Sequence, residues 1–349
     1  MPHSSRSTPT LQIQIGDCRE LLRALPSDSV PCVVTSPPYW QLRDYGVAGQ
    51  IGLEPTLPEF IDTLIGVFTE IRRVLRPDGS CWMNLGDTYT NPTVGKRTGG
   101  TLSKWKGGGR RNPDVGETGI KGKTGLKPKQ LCGIPWRVAL SLQDEGWYLR
   151  EDIIWSKPNP MPESARDRCT RAHDYLFHLT KSPDYYWDKA ATIEPVTGTA
   201  KPRGSGVNAK AKAKTPTGWD TSTGEGAHGS IHRTGRGEGK RRIQSRQNES
   251  FSGAVNGLVT TRNWRSVWEI PTEPCPDAHF ATFPGDLPRR CILASTRPGD
   301  LVLDPFGGRG TTGHVALELG RSALLLELNP AYAALAEAHC ASATPGFGF

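Results

Sequence analysis

Ser36-Pro37-Pro38-Tyr39 joins residue types that can activate a poor nucleophile. An amino group conjugated to an aromatic ring attacks slowly, because its lone pair is delocalised. The Ser36 hydroxyl and the Pro37 carbonyl, side by side, offer two acceptors that could hold both N–H bonds and localise that pair. Pro37 lacks an N–H and the diproline is stiff, so the acceptors are aimed at little ordering cost. Tyr39 adds a flat face on which a nucleobase could stack, worth about 1–3 kcal/mol. That would offset much of the few kcal/mol needed to extrude a base from a duplex. Read in isolation, the same four residues also suit an ordinary loop capping a strand.

A second constellation begins at Asp304 and runs through Phe306, Gly308, Gly310 and Thr311 to Gly313, with Glu327 closing the following apolar run. Glycines let a backbone approach a ligand closely and open onto a helix N-terminus. Glu327 is spaced to accept hydrogen bonds from ribose hydroxyls. Gly308, Gly310 and Gly313 also spell the dinucleotide fingerprint G-x-G-x-x-G, so two cofactor classes fit these residues. Asp304 weighs against a pyrophosphate, which its carboxylate would repel. The same carboxylate would pair with the ammonium of a methionine moiety, as in S-adenosylmethionine.

Both constellations need strand ends to hold them. Residues 11–15 and the apolar run 30–34 read as strands, the second halted by the diproline. Apolar residues at helical spacing from Ile61 to Leu75 give a helix over 58–75, terminated by Arg76-Pro77-Asp78-Gly79. Strands are expected at 80–85, 147–155 and 174–180, with a helix near 135–145. From residue 300 the order is strand 301–304, glycine loop, helix 311–319, strand 323–327, helix 330–340. Such alternation predicts an α/β fold with a doubly wound, mainly parallel sheet, in which ligands bind at the C-terminal ends of strands.

The net charge of +8 is unevenly placed. Residues 88–130 carry ten Lys/Arg against two acids and residues 196–263 carry twelve against four, so each segment alone supplies +8 and the remainder is net acidic. Two basic, glycine-rich insertions suit a polyanion, with affinity that falls as salt rises. Trp105, Trp219 and Trp264 lie in or beside them and could stack on bases or anchor the loops. No apolar stretch approaches membrane-spanning length, and residues 1–10 lack a secretory signal, which places the expected site of action in the cytoplasm, and a polyanion partner would put it on the nucleoid.

The eight cysteines form no C-x-x-C pair, and no histidines stand at metal-ligand spacing, so no metal site is expected. Cys32 follows Pro31, as in nucleophilic Pro-Cys motifs, but lies inside an apolar run and reads as core. Gly122-Lys123-Thr124 lacks the earlier glycine of a phosphate-binding P-loop, because Glu117 holds that position.

Taken together, these residues carry a family resemblance. Thr35 to Trp40 resembles the catalytic motif of the S-adenosylmethionine-dependent DNA amino-methyltransferases, and Asp304 to Thr312 resembles their cofactor motif. The catalytic motif comes first, as in the beta group of that family. The resemblance implies a Rossmann-like sheet of the seven-stranded type with permuted motif order. By the same comparison Asp17 resembles the residue holding the cofactor's adenine, and Phe283-Pro284 the segment closing over its methionine end. Lys157-Pro158-Asn159-Pro160 resembles the loop beside the target base.

The implied organisation is a catalytic half at 11–190, a target recognition region at 191–263 aided by 88–130, and a cofactor half at 264–341. The implied partners are double-stranded DNA and a cognate restriction endonuclease. Serine in the motif favours N4 of cytosine, with N6 of adenine as the alternative. An RNA or protein-amide methyltransferase and a non-catalytic DNA-binding module are the remaining readings.

Overall fold

Branched aliphatic runs bounded by prolines and glycines build one large sheet. The computed structural model describes residues 8–90, 124–195, 261–273 and 283–344. In chain order its strands are β1 (Leu11–Ile15), β2 (Val30–Thr35), β3 (Leu75–Leu85), β4 (Tyr148–Ser156), β5 (His173–Thr180), β6 (Ile193–Pro195), β7 (Thr261–Asn263), β8 (Val267–Glu269), β9 (Leu301–Asp304) and β10 (Ser322–Glu327). The helices are α1 (Cys18–Ala24), α2 (Leu57–Val74), α3 (Ile134–Asp144), α4 (Asp286–Ser295), α5 (Thr311–Glu318) and α6 (Pro330–Ala341). The main sheet runs β1-β10-β9-β2-β3-β5-β4-β8. All neighbours are parallel except β5, which is antiparallel to both β3 and β4.

β2 is buried at every position, as a central parallel strand must be. Its successive side chains point to opposite faces. Val33 joins the core that Phe60, Leu64 and Phe68 of α2 help to build, whereas the Cys32 thiol meets Ser295 of α4 at 3.3 Å. Helices α1 to α3 and α4 to α6 thus form separate layers on the two faces, the doubly wound arrangement. Helix α2 is fixed at its start by a capping box between Thr56 and Glu59. At its end Arg73 donates to the carbonyls of Leu22 and Leu25, at 2.7 and 2.9 Å, and so ties α2 to α1.

Two features depart from the sequence expectation. The strand expected to start at residue 80 begins at Leu75, directly after α2. Leu75 pairs with Val30, and the next pair is Ser80 with Cys32, so residues 76–79 bulge opposite Pro31. Proline has no N–H for the ladder, and a bulge there costs no hydrogen bond. Second, β8 adds an eighth strand beside β4. Only three residues long and with two of them exposed, it carries no readable periodicity.

The described residues up to Thr192 and from Arg265 form one unit, and those of Ile193–Trp264 a second. In the second unit β6 and β7 pair antiparallel, with an Arg262–Glu194 ion pair at 2.7 Å. Most of both basic insertions, with Trp105 and Trp219, lies outside the described residues.

Gly310 has a concrete packing role. Its φ of 86° is left-handed, and a Cβ there would stand 2.9 Å from the Ala336 Cβ of α6. Gly310→Ala should therefore cost about 2 kcal/mol or more, read as a lowered midpoint in urea denaturation. An unchanged midpoint would show that α5 and α6 part freely.

Candidate functional site

The chain order reverses between β9 and β2: β9 leads outward to β10, and β2 leads the other way to β3. Crevices form at the C-terminal ends of strands at such a switch point. Asp304 ends β9 and Thr35 ends β2, 269 positions apart, and they are bonded to each other. Thr35 Oγ1 donates to Asp304 Oδ1 and Thr312 Oγ1 to Oδ2, both at 2.7 Å, and the Phe306 N–H adds a third bond at 3.0 Å. This carboxylate is only 2% exposed and has no cation among these partners. Burial outweighs the three hydrogen bonds and pushes its pKa up to about 6.

The cleft beside Asp304 holds about 1170 Å3 of empty space when the open solvent at its mouth is counted. Of the expected cofactor residues, Asp17, Phe283, Asp304, Phe306, Gly308, Thr311 and Glu327 line it. Gly310 stands behind the loop against α6, and Pro284 is buried at the start of α4. Glu327 accepts the Gly308 N–H at 2.7 Å and the Asn329 N–H at 2.8 Å, which fixes its carboxylate at the cleft wall. Burial raises its pKa. Asp17 caps α1 through the Arg19 N–H and is paired with the Arg19 guanidinium. The hydrogen bonds from that side chain hold its carboxyl below the usual range.

Sequence reasoning missed the opposite wall. The segment after Tyr39 folds back over the cleft, with Gln41 N–H donating to the Gly52 carbonyl at 2.7 Å. It places Leu42, Tyr45 and Ile51 on the lining, and the Tyr45 ring meets Tyr332 edge-on at 6.1 Å. No periodic pattern marks this loop, and its glycines were the only available signal.

Ser36, Pro37, Pro38 and Tyr39 line the same cleft. The Tyr39 ring rests on Gly86, where a Cβ would come within 2.5 Å of it. The Tyr39 hydroxyl lies 3.4 Å from Asn84 Oδ1 and 3.3 Å from Asp174 Oδ2. Burial, then the Asp174 charge, pushes that phenol well above its ordinary range. Ser36 Oγ donates to Asn84 Oδ1 at 3.4 Å. Lys157 pairs with Asp174 at 2.5 Å and lies over the Trp155 ring, while Asn159 exchanges two hydrogen bonds with the Thr272 backbone. Asn84, Gly86 and Asp174 had drawn no attention in the sequence, where each sits inside or beside an ordinary strand.

Cys32 is fully buried, and burial lifts its thiol to about 12, which leaves no nucleophile there. His178 stacks on Trp82 at 4.1 Å, and burial drives its pKa down to about 3. His279 and Cys275 lie outside the described residues.

Sheet order, switch-point cleft and glycine loop together define a Rossmann-like methyltransferase fold. The model of the N6/N4 DNA methylase family matches residues 30–338. The Type II methyltransferase M.XycI of Xanthomonas campestris pv. cyanopsidis is 43% identical over 321 residues, spanning 92% of this chain and 84% of that protein. M.SmaI of Serratia marcescens is 40% identical over 326 residues, spanning 93% and 89%. The structure of the cytosine-N4-specific PvuII DNA methyltransferase superposes with a TM-score of 0.57 at 21% identity, covering 95% of this chain and 87% of that one. The putative DNA modification methylase TTHA0409 of Thermus thermophilus, in complex with S-adenosyl-L-methionine, gives 0.55 at 25% identity, covering 97% and 96%.

The chain belongs to the N6/N4 family of DNA methylases. It is a Type II DNA methyltransferase of the restriction-modification kind, dependent on S-adenosylmethionine. Among the described residues no helix is long and apolar enough to cross a membrane.

The residues present fit that cofactor. Glu327 can accept hydroxyl protons, and on the same cleft wall Asp304 is a buried anion without a cation among its hydrogen-bond partners. Because folding raises the Asp304 pKa, its protonated form stabilises the cofactor-free protein. That contribution is full below pH about 4 and is lost as pH rises through about 6. A cationic ligand favours the ionised form instead. Affinity for S-adenosylmethionine, measured by calorimetry, should rise with pH through about 6 and then level off. Asp304→Asn should flatten the dependence, and a wild-type profile in that variant would exclude Asp304 as its origin.

Proposed function

We propose that the protein transfers a methyl group to the exocyclic N4 of a cytosine everted from duplex DNA. The observation that carries this reading is that Ser36 and the glycine loop, remote in sequence, line one cleft. S-adenosylmethionine, when bound, supplies an electrophilic methyl group on its sulfonium. Ser36 Oγ and the Pro37 carbonyl accept the two N–H bonds of the target amine and localise its lone pair, and the Tyr39 ring stacks on the base. Glu327 would hold the ribose hydroxyls, Asp17 the adenine, and Asp304 the ammonium of the methionine moiety. Phe283, Phe306, Gly308 and Thr311 complete the wall. The amine proton leaves to solvent.

Serine at the head of the motif supports cytosine over adenine, because the resembling N4-specific enzymes more commonly carry serine there and the adenine enzymes aspartate. Mass spectrometry of nucleosides from DNA treated with the enzyme should find N4-methylcytosine. Methyladenine alone would overturn the assignment.

The segment 191–263, assisted by 88–130, is proposed as the target recognition region. Its positive charge supports phosphate contacts whose number sets a steep salt dependence. A cognate endonuclease reading the same sequence is proposed from the Type II relatives. Deleting 201–246 should abolish site selectivity and leave cofactor affinity intact. Loss of cofactor binding in that deletion would assign the segment to the catalytic core.

A further inference from the structure

Ser36 can accept a hydrogen bond from an amine only if its own proton points elsewhere. Asn84 Oδ1 takes that proton at 3.4 Å. The Asn84 amide is held from turning over, because its Nδ2 donates to the Tyr175 carbonyl of β5 at 3.1 Å. The Tyr39 hydroxyl competes for the same Asn84 oxygen, at 3.4 Å, but it also reaches Asp174 Oδ2 at 3.3 Å. A carboxylate is the stronger acceptor, and Lys157 Nζ anchors this one at 2.5 Å. The phenolic proton therefore goes to Asp174, and Asn84 is left to Ser36.

We propose that Asn84, backed by the Asp174–Lys157 pair, is a positioning device that fixes hydroxyl polarity so that Ser36 Oγ turns its lone pairs toward the target amine. The proposal rests on the reading of Ser36 as the amine's acceptor. With polarity reversed, the serine would donate to the amine nitrogen and occupy the electrons that must attack. The four groups come from the ends of β2, β3, β5 and β4, so the directions are set by rigid sheet and not by a mobile loop.

The test is transfer of labelled methyl to unmodified DNA at saturating cofactor, with the cofactor dissociation constant measured for each variant to identify folded protein. Asn84→Ala should lower the rate by about tenfold or more at unchanged cofactor affinity. Asn84→Asp should be rescued as its new carboxylate ionises, giving a rising pH limb that the wild type lacks. A wild-type rate in the first variant, or a wild-type-shaped profile in the second, overturns the proposal.

Should the Asn84 variants fail to fold, Asp174→Asn gives an independent answer. It should be slow, because the Tyr39 proton now competes for Asn84, and adding Tyr39→Phe should restore rate by removing the competitor. No recovery in that double variant also overturns the proposal. Ser36→Ala separates the two levels. A fully active Ser36→Ala defeats the acceptor reading itself, whereas an inactive one alongside fully active Asn84 variants defeats only the polarity device.

Discussion

The site depends on one buried carboxylate. Asp304 accepts hydroxyl protons from Thr35 at the end of β2 and from Thr312 in the first turn of α5. It thereby couples the strand that leads into Ser36-Pro37-Pro38-Tyr39 to the glycine loop and helix that follow β9. An ionised carboxylate taken out of water without a counter-charge is costly, and three neutral donors offset only part of that cost. The remainder appears as a raised pKa and as affinity for whatever cation enters the cleft. One group thus fixes the spacing of the two half-sites and biases the pocket toward a positively charged ligand.

Strand direction governs the base side of the cleft. Four parallel strand ends converge on the crevice, and β5 alone runs the other way. Reversal brings the start of β5, not its end, to the crevice. Asp174 therefore stands opposite Tyr39 and beside Asn84, which ends a strand of opposite direction. An all-parallel sheet would have left that carboxylate at the far edge. Gly86 completes the arrangement by letting the Tyr39 ring lie directly on backbone.

Charge is divided by role. The body of the chain is net acidic, and the positive charge is concentrated in the two insertions. The proposed role of the insertions in meeting a polyanionic duplex uses that charge, while the cleft keeps the anionic groups, Asp17, Asp304 and Glu327, that suit a cationic ligand.

The element pattern was legible locally. Helical spacing in α2, the buried run of β2 and the strand–loop–helix order after residue 300 are set by short-range periodicity and by Pro and Gly, which act within a few residues. The candidate chemistry was legible too, since an acceptor pair on a stiff diproline and an acid ahead of a glycine loop each narrow what a single segment could do. What the sequence alone could not decide was adjacency. Asn84, Asp174, Lys157 and Tyr45 look like unremarkable strand or loop residues until strand order and direction bring them to the crevice, because hydrogen bonds across a sheet leave no mark in local spacing. Pro31 shows the same divide at small scale. Its missing N–H was plain from the chain, but only its pairing with β3 showed that residues 76–79 would bulge there instead of ending an element. Local pattern therefore determined the parts and their chemistry, and non-local pairing decided which parts meet, because contact between distant segments is fixed by packing of the whole sheet.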